Sequence, residues 1–573
     1  MVATGPHEEV QISMRNRLSF VPFTCLMMFS LAGCSASTTP ETVKSDDPFQ
    51  AAEEKLTPLA APCTFVVATG LMTVTVAAGE TAIISRRAAD SAILQNGASC
   101  DNLATNATLK KLIVNGTGTG KTAILDFTNG LFATGTSSTA TTGIVVDLGT
   151  GGGNTLGIRG TTGADNVAYG ATGINLNNDA FKDITATNVA THTVYLGDGA
   201  DTFTASGSAA TGAAFGAALT VYGGAGADVF NEGTLSTTSE TIYGGADSDT
   251  VSYAQRTAAV TVTVGATAND GITGELDDIK SDVEIVTGGT VADTMTAAAG
   301  VAVTFNGGPG DDTLIGDTAV DTLNGEAGND ILRGKGGNDI LNGGDGDDTF
   351  DEETATNGGD TFNGGAGIDT VDYSARTGSG VTVTMDGTVA NDGFSGEQDN
   401  VKADVENVLG TDQIDNITGN ALANTITGNL GADVLSGGAG DDTFFEGAVT
   451  SGADTISGGT GVDTVDYSGR GTLVTVVLNG TTPSGQASEG DLLATDMENV
   501  IGTSGDDVIT GNASANELVG GAGDDTLNGL GGDDTLEGGG GAEVNLLDCG
   551  AGDGDIGFGE GTGNGATRTN CEF

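Results

Sequence analysis

The chain contains no tryptophan, and aromatic residues make up 5% of it. Positive charge is also scarce: 19 Lys and Arg stand against 78 Asp and Glu, for a formal charge of −59. A nucleic-acid partner is excluded on that ground, because phosphate binding needs Lys and Arg. Only two histidines exist, His7 and His192. Zinc proteases of the His-x-x-x-His type are thereby excluded. A Ser-His-Asp triad would rest on His192, which has no Gly-x-Ser-x-Gly beside it. There is no long apolar pore segment; the run from Leu18 to Leu31 is too short for a confident membrane span. A large acidic excess with few aromatics is the composition of a disordered chain.

Periodicity argues against that reading. Glycine supplies 97 residues, many of them in phase with aspartate. In LNGEAGNDILRGKGGNDILNGGDGDDTF, with the residue pair before it, aspartate returns every nine residues, at Asp321, Asp330, Asp339 and Asp348. Each is followed two places later by Leu or Phe. The array runs GGPGDDTLI, GDTAVDTLN, GEAGNDILR, GKGGNDILN, GGDGDDTFD from Gly307; others start at Gly410 and Gly502, with weaker copies from Gly160 to Gly244. Disorder does not require Asp, Gly and an apolar residue in fixed phase. Fixed periods of this kind mark solenoids.

The consensus Gly-Gly-x-Gly-x-Asp-x-apolar-x resembles the RTX family, the calcium-binding nonapeptide repeats of secreted bacterial proteins. The resemblance covers most of the chain after about residue 150. It implies an all-β fold, a right-handed parallel β-roll or β-helix solenoid, here with hairpin-like insertions. Two nonapeptides would make one coil, each giving a six-residue calcium loop and a three-residue strand. Carboxylates flanking one ion would then lie eighteen residues apart, with Asp312, Asp330 and Asp348 stacked on one side and Asp321 and Asp339 on the other. The metal ligands implied are Asp201, Asp228, Asp249, Asp312, Asp321, Asp330, Asp339, Asp348, Asp369, Asp433, Asp442, Asp463, Asp507, Asp525 and Asp534.

The residue types suit that chemistry. Glycine tolerates positive φ and lets a loop turn tightly. Calcium takes six to eight hard oxygens, which carbonyls and carboxylates supply, whereas magnesium wants a rigid shell and keeps its waters. Some units depart from the pattern. Asn424 and Asn516 replace the Asp, Glu543 stands there in the last unit, and four units lack the fourth Gly. Those coils read as spacers.

Three longer segments start at Asp249, Asp369 and Asp463 and resemble one another. Each leaves a repeat, runs an alternating strand such as Val381-Thr382-Val383, turns at a polar or Gly-rich loop and returns to a new array. Tyr253, Tyr373 and Tyr467 recur in them with Arg256, Arg376 and Arg470. We read these pairs as covers for the roll, with Tyr packing and Arg meeting carboxylates, in preference to sugar-binding pairs. Residues 62–150 show short strand-like runs at Thr64–Val67, Leu71–Val76, Leu112–Val114 and Ile144–Val146, read as parallel β-helix coils that merge into the roll. NGTGTGKT at Asn115–Thr122 mimics a phosphate loop, but Asn115 stands where Gly is needed and the following AILDF reads as a strand.

At the N-terminus, Arg15 and Arg17 precede the apolar run, as in an export signal. Leu31-Ala32-Gly33-Cys34 resembles the lipobox of bacterial lipoproteins, which implies cleavage before Cys34 and its lipidation. Export favours disulfides, and the remaining cysteines form local pairs, Cys63–Cys100 and Cys549–Cys571. The layout expected is a signal at 1–33 (with Met14 as an alternative start), the lipidated Cys and a flexible tether at 34–61, and a β-rich cap at 62–150. Degenerate coils with the first insertion follow at 151–306. Then come an array and insertion at 307–409, another at 410–501, and a last array with a disulfide-bonded cap at 502–573.

The functional expectation is extracellular calcium binding by a non-enzymatic protein with a structural or adhesive role. It would be an outer-membrane lipoprotein or otherwise at the cell surface, held to membrane by its lipid alone, with a surface polysaccharide or protein as its partner. The alternatives are a polysaccharide-modifying enzyme carrying RTX modules and a secreted RTX toxin. Alginate epimerases share the first layout, but their catalytic motif finds no match here.

Overall fold

Each nonapeptide spends its Gly-rich half on a turn and its Asp-x-apolar half on a strand. The strands of the central array, such as Thr313–Ile315 and Ile331–Arg333, expose one side chain and bury the next. A short strand cannot close a core alone, so stacking supplies it. The computed structural model describes residues 47–50 and 63–571, apart from 101–102, 133–142, 178, 180, 209, 212, 235–238, 267–268, 299, 355–357, 541–543, 553 and 561–566. The signal, Cys34 and Glu543 lie outside the described residues, as does the tether except for 47–50.

From residue 63 on, every secondary-structure element among the described residues is a strand, and the pairing is overwhelmingly parallel, so the fold is an all-β parallel β-roll. Sheets of 16, 15, 9, 5 and 5 strands make its walls. Consecutive units alternate between two walls. Thr304–Pro309, Thr322–Ala327 and Ile340–Asp345 pair on one, while Thr313–Ile315, Ile331–Arg333 and Thr349–Asp351 pair on the other. Register places Leu314, Leu332 and Phe350 in one column and Phe305, Leu323 and Leu341 in the facing one, all fully buried. A ladder of amides, Asn306–Asn324–Asn342–Asn363, runs beside the second column with Nδ2–Oδ1 distances of 2.7–2.8 Å.

Residues 63–150 differ in two respects. The core there is thicker, because Leu71–Val76 buries Met72, Val74 and Val76 together. Thr64–Val66 also folds back antiparallel on Leu71–Val76, so the region opens with a hairpin before parallel coils begin with Lys111–Gly116 and Gly143–Asp147. Both expected disulfides are formed, with Cα–Cα distances of 5.5 and 5.1 Å. Part of the expected tether is docked: Phe49 is buried against Ile83 and Ile124, and Asp47 pairs with Arg159 at 2.8 Å. An aromatic ring and a charge with a ready partner have no reason to stay in water. Thr122–Asp126 is a strand paired on both sides, so no helix follows the phosphate-loop mimic.

The three insertions are where walls change. In each, a short antiparallel hairpin forms, as between Val260–Val264 and Gly271–Ile272. The far end of the insertion adds the last strand to an existing wall: Asp278–Ile279, Asn400–Val401 and Leu492–Leu493. Its near strand starts the next wall, as Thr382–Thr384 does against Asn416–Thr418 and Thr475–Val477 against Val508–Thr510. The opposite wall runs through each break.

Candidate metal centres

The repeat sets the aspartates in register because strands one coil apart pair residue for residue. Each Asp Oδ1 accepts the backbone N–H of the residue one coil earlier. In the central array the bonds run Asp312 to Asp330, Asp330 to Asp348 and Asp348 to Asp369, at 2.7–3.0 Å. On the facing wall Asp321 donates to Asp339 and Asp339 to Asp360, both at 2.8 Å. The stacks expected from an eighteen-residue spacing are therefore present. Further stacks join Asp201, Asp228 and Asp249; Asp415 and Asp433; Asn424, Asp442 and Asp463; Asp507 and Asp525; and Asn516 and Asp534. All fifteen expected ligand aspartates are buried.

The second carboxylate oxygen is the informative atom. Oδ2 is buried without a hydrogen-bond donor at Asp201, Asp228, Asp249, Asp312, Asp330, Asp339, Asp348, Asp369, Asp433, Asp442, Asp463 and Asp534. A buried charged oxygen without a partner is costly and calls for a cation or a proton. Burial accordingly pushes Asp312, Asp339 and Asp433 up to about 7 and Asp330 and Asp442 to about 6. Glycine shapes the cradle around that oxygen. A Cβ at Gly307, Gly325 or Gly343 would collide with Oδ2 of Asp312, Asp330 or Asp348. The fourth-place glycines Gly310, Gly328 and Gly346 hold φ of 147°, 137° and 138°, where side chains are strained.

Units that depart from the consensus show what fills the gap otherwise. Asn424 and Asn516 keep their places in the stack, but their Nδ2 atoms donate to the carbonyls of Glu406 and Glu498 at 3.0 and 2.8 Å. Their Oδ1 atoms stand in the glycine cradle where the aspartates place Oδ2, and each accepts the N–H of the residue four places earlier, Asn420 or Asn512, at 2.8 Å. Two of the expected ligands also differ from the rest. Oδ2 of Asp321 accepts the N–H of Asp317 at 2.8 Å, and that of Asp507 accepts the Thr503 N–H at 2.6 Å.

Several column members escaped the sequence reading. Asp293, Asp360, Asp399, Asp415, Asp454, Asp491 and Asp555 sit in the stacks, as do Glu284, Glu406 and Glu498. Each carries the surviving half of the signal, an acid two places before an apolar or small strand residue, without the full glycine pattern. His192 belongs to packing: it is buried edge-on against Tyr169 and Phe215, and burial lowers it to about 4.

Parallel walls, a buried column of carboxylates and glycine cradles define a metal-binding β-roll. A family model described as RTX calcium-binding nonapeptide repeat (4 copies) matches residues 304–332, 325–351, 409–444, 449–469, 495–527 and 510–542. The chain therefore carries RTX calcium-binding nonapeptide repeats, and calcium is the ion they bind. A search of curated proteins finds no match to the chain. The bare Oδ2 atoms fit such an ion in charge and hardness. Within the matched segments, Asp312, Asp330, Asp339, Asp348, Asp433, Asp442, Asp463 and Asp534 are the residues that would hold it.

Proposed function

We propose that the protein is an exported, lipid-anchored scaffold of the cell surface whose roll assembles on calcium. The observation that carries this reading is the column of buried Asp Oδ2 atoms with no donor. Such a column is repulsive until divalent charge enters it, so ion binding and folding of the arrays are one event. Assembly is then deferred until the chain meets millimolar calcium outside the cell, where weak sites suffice. The role is structural or adhesive and not enzymatic, with a surface polysaccharide or protein as the partner of the acidic walls. The resemblance of Leu31–Cys34 to a lipobox supports the anchor.

Circular dichroism of the purified chain with calcium and with excess EGTA tests the physical claim. Strand signal that grows on adding calcium, above that of the N-terminal coils, supports it; an unchanged spectrum opposes it. Mass spectrometry of the N-terminal peptide tests the anchor, since a lipidated Cys34 and an unmodified one differ in mass.

A further inference from the structure

Each insertion ends a carboxylate column in a way the nonapeptide does not. In the third, Asp491 closes the column by accepting the N–H of Asp454 at 3.1 Å through Oδ1. Its Oδ2 accepts the hydroxyl of Tyr467 at 3.0 Å in place of facing another coil. Glu446 and Glu489 converge on the same point from the preceding turn and from the hairpin. Ligand oxygens of Glu446, Glu489 and Asp491 lie within 4.8 Å of one another, all buried. Arg470 pairs with both glutamates.

The same set recurs twice. In the second insertion Tyr373 donates to Asp399 Oδ2 at 3.2 Å, and Arg376 pairs with Glu352 and Glu397. In the first, Tyr253 donates to Asp277 Oδ2 at 3.5 Å, and Arg256 Nη1 lies 2.7 Å from Glu275 Oε1 and Nη2 3.8 Å from Glu232 Oε2. One guanidinium thus faces several buried carboxyls in each case, and the surplus is negative.

Glu240 shows where the surplus leads. It is fully buried, and neither of its oxygens meets an N–H or O–H donor. Its carboxyl lies against that of Glu232, with Asp277 and Glu275 as the next charges. Two carboxyls in contact, out of water, are held by a shared proton or by a cation. With four acids gathered around one arginine, a single proton leaves most of the excess in place.

We infer that each insertion builds a second kind of divalent-cation site, closed by Glu and Asp from the hairpin and made of residues outside the nonapeptide loops. In the third insertion the ligands are Glu446, Glu489 and Asp491, whose oxygens converge, and in the first the contacting pair Glu232 and Glu240 is the core of the site. The oxygen-only donor set selects a hard ion of calcium's class. The site pins the hairpin where one wall stops and the next begins, so an ion would weld the joints between arrays.

Native mass spectrometry of the full chain in calcium, against the triple variant E275Q/E397Q/E489Q, reads the sites directly. Three fewer bound ions are expected, and one fewer for E489Q alone, which serves if the triple variant fails to fold. An unchanged count overturns the proposal and assigns the carboxyls to shared protons. Terbium gives a readout independent of those glutamates. With no tryptophan in the chain, sensitised emission must come from tyrosine, and three tyrosines touch the sites. The variant Y253F/Y373F/Y467F should lose most of that emission, and emission retained in full overturns the proposal. An array variant, D312N/D330N/D348N, should lose ions from the nonapeptides and keep the three at the joints, which separates this claim from the array reading.

Discussion

At the scale of one residue, the roll turns on which group meets the second carboxylate oxygen. At Asn424 that place is held by the amide Oδ1, which accepts the Asn420 N–H at 2.8 Å without an ion. Asn424→Asp should therefore raise the number of bound calcium ions, counted by native mass spectrometry, and lower stability in EGTA. A count that stays fixed would show that the neighbouring loop cannot complete the site. Gly325→Ala acts on the cradle, since its Cβ meets both Asp330 Oδ2 and the Gly343 carbonyl. Overpacking of this kind costs about 1–3 kcal/mol, read as a lower urea midpoint in saturating calcium. Protons compete for the same oxygens. Asp312 and Asp339 are raised to about 7 and Asp330 to about 6, in each case mainly by burial. Free aspartate titrates near ~3.9. A carboxyl raised in the folded state stabilises below its unfolded value and loses that contribution as pH climbs through the folded one. In EGTA, thermal stability should therefore be highest near pH 4 and decline through pH 6 to 7. A midpoint that rises over that interval would contradict the assignment.

At the scale of the element, the joints between walls depend on buried ion pairs. Arg470 is fully buried between Glu446 and Glu489. Removing one partner of such a group strands the other charges, at about 3–5 kcal/mol. Arg470→Met should speed hydrogen exchange in the segment from Val474 to Leu493 while leaving the central array protected in calcium. Equal protection throughout would mean the arginine contributes little. The Tyr and Arg of these insertions were legible as covers, because an aromatic and a cation beside acidic repeats have few other places to go. Their acidic partners were not. Glu275 and Asp277 reach Arg256 and Tyr253 only after a hairpin folds back, which no local spacing announces. The array was readable for the opposite reason: strands eighteen residues apart pair in register, so the sequence period is the spatial one. Where a loop lengthens the coil, as from Asp339 to Asp360, the period slips to twenty-one and the aspartate drops out of the pattern.

At the scale of the molecule, two sources of cohesion divide the chain. The nonapeptide coils bury one apolar side chain per strand, such as Leu323 or Leu332, and stack a carboxylate with it. Neighbouring strands lie about 4.8 Å apart. Two unit charges at about 5 Å repel by ~0.8 kcal/mol even at the dielectric of water, and by more in a dry loop. Each added coil therefore adds repulsion that a single Leu or Phe must oppose, until an ion reverses the sign. Among the described residues the N-terminal coils carry no such column. They bury Met72, Val74 and Val76 from one strand and Ile84, Leu112 and Val114 from the next ones, and the Cys63–Cys100 bond closes their open end. Apolar burial of about 1.5–3 kcal/mol per large side chain is independent of calcium. Limited proteolysis in EGTA should then leave a core fragment beginning near Cys63 and reaching past Arg159, while residues 304–542 are cut at many points. Calcium added before the protease should protect both parts. If the arrays resist cleavage in EGTA as well as the N-terminal coils do, the apolar column alone holds the roll, and the ions serve only as ballast on a structure already made.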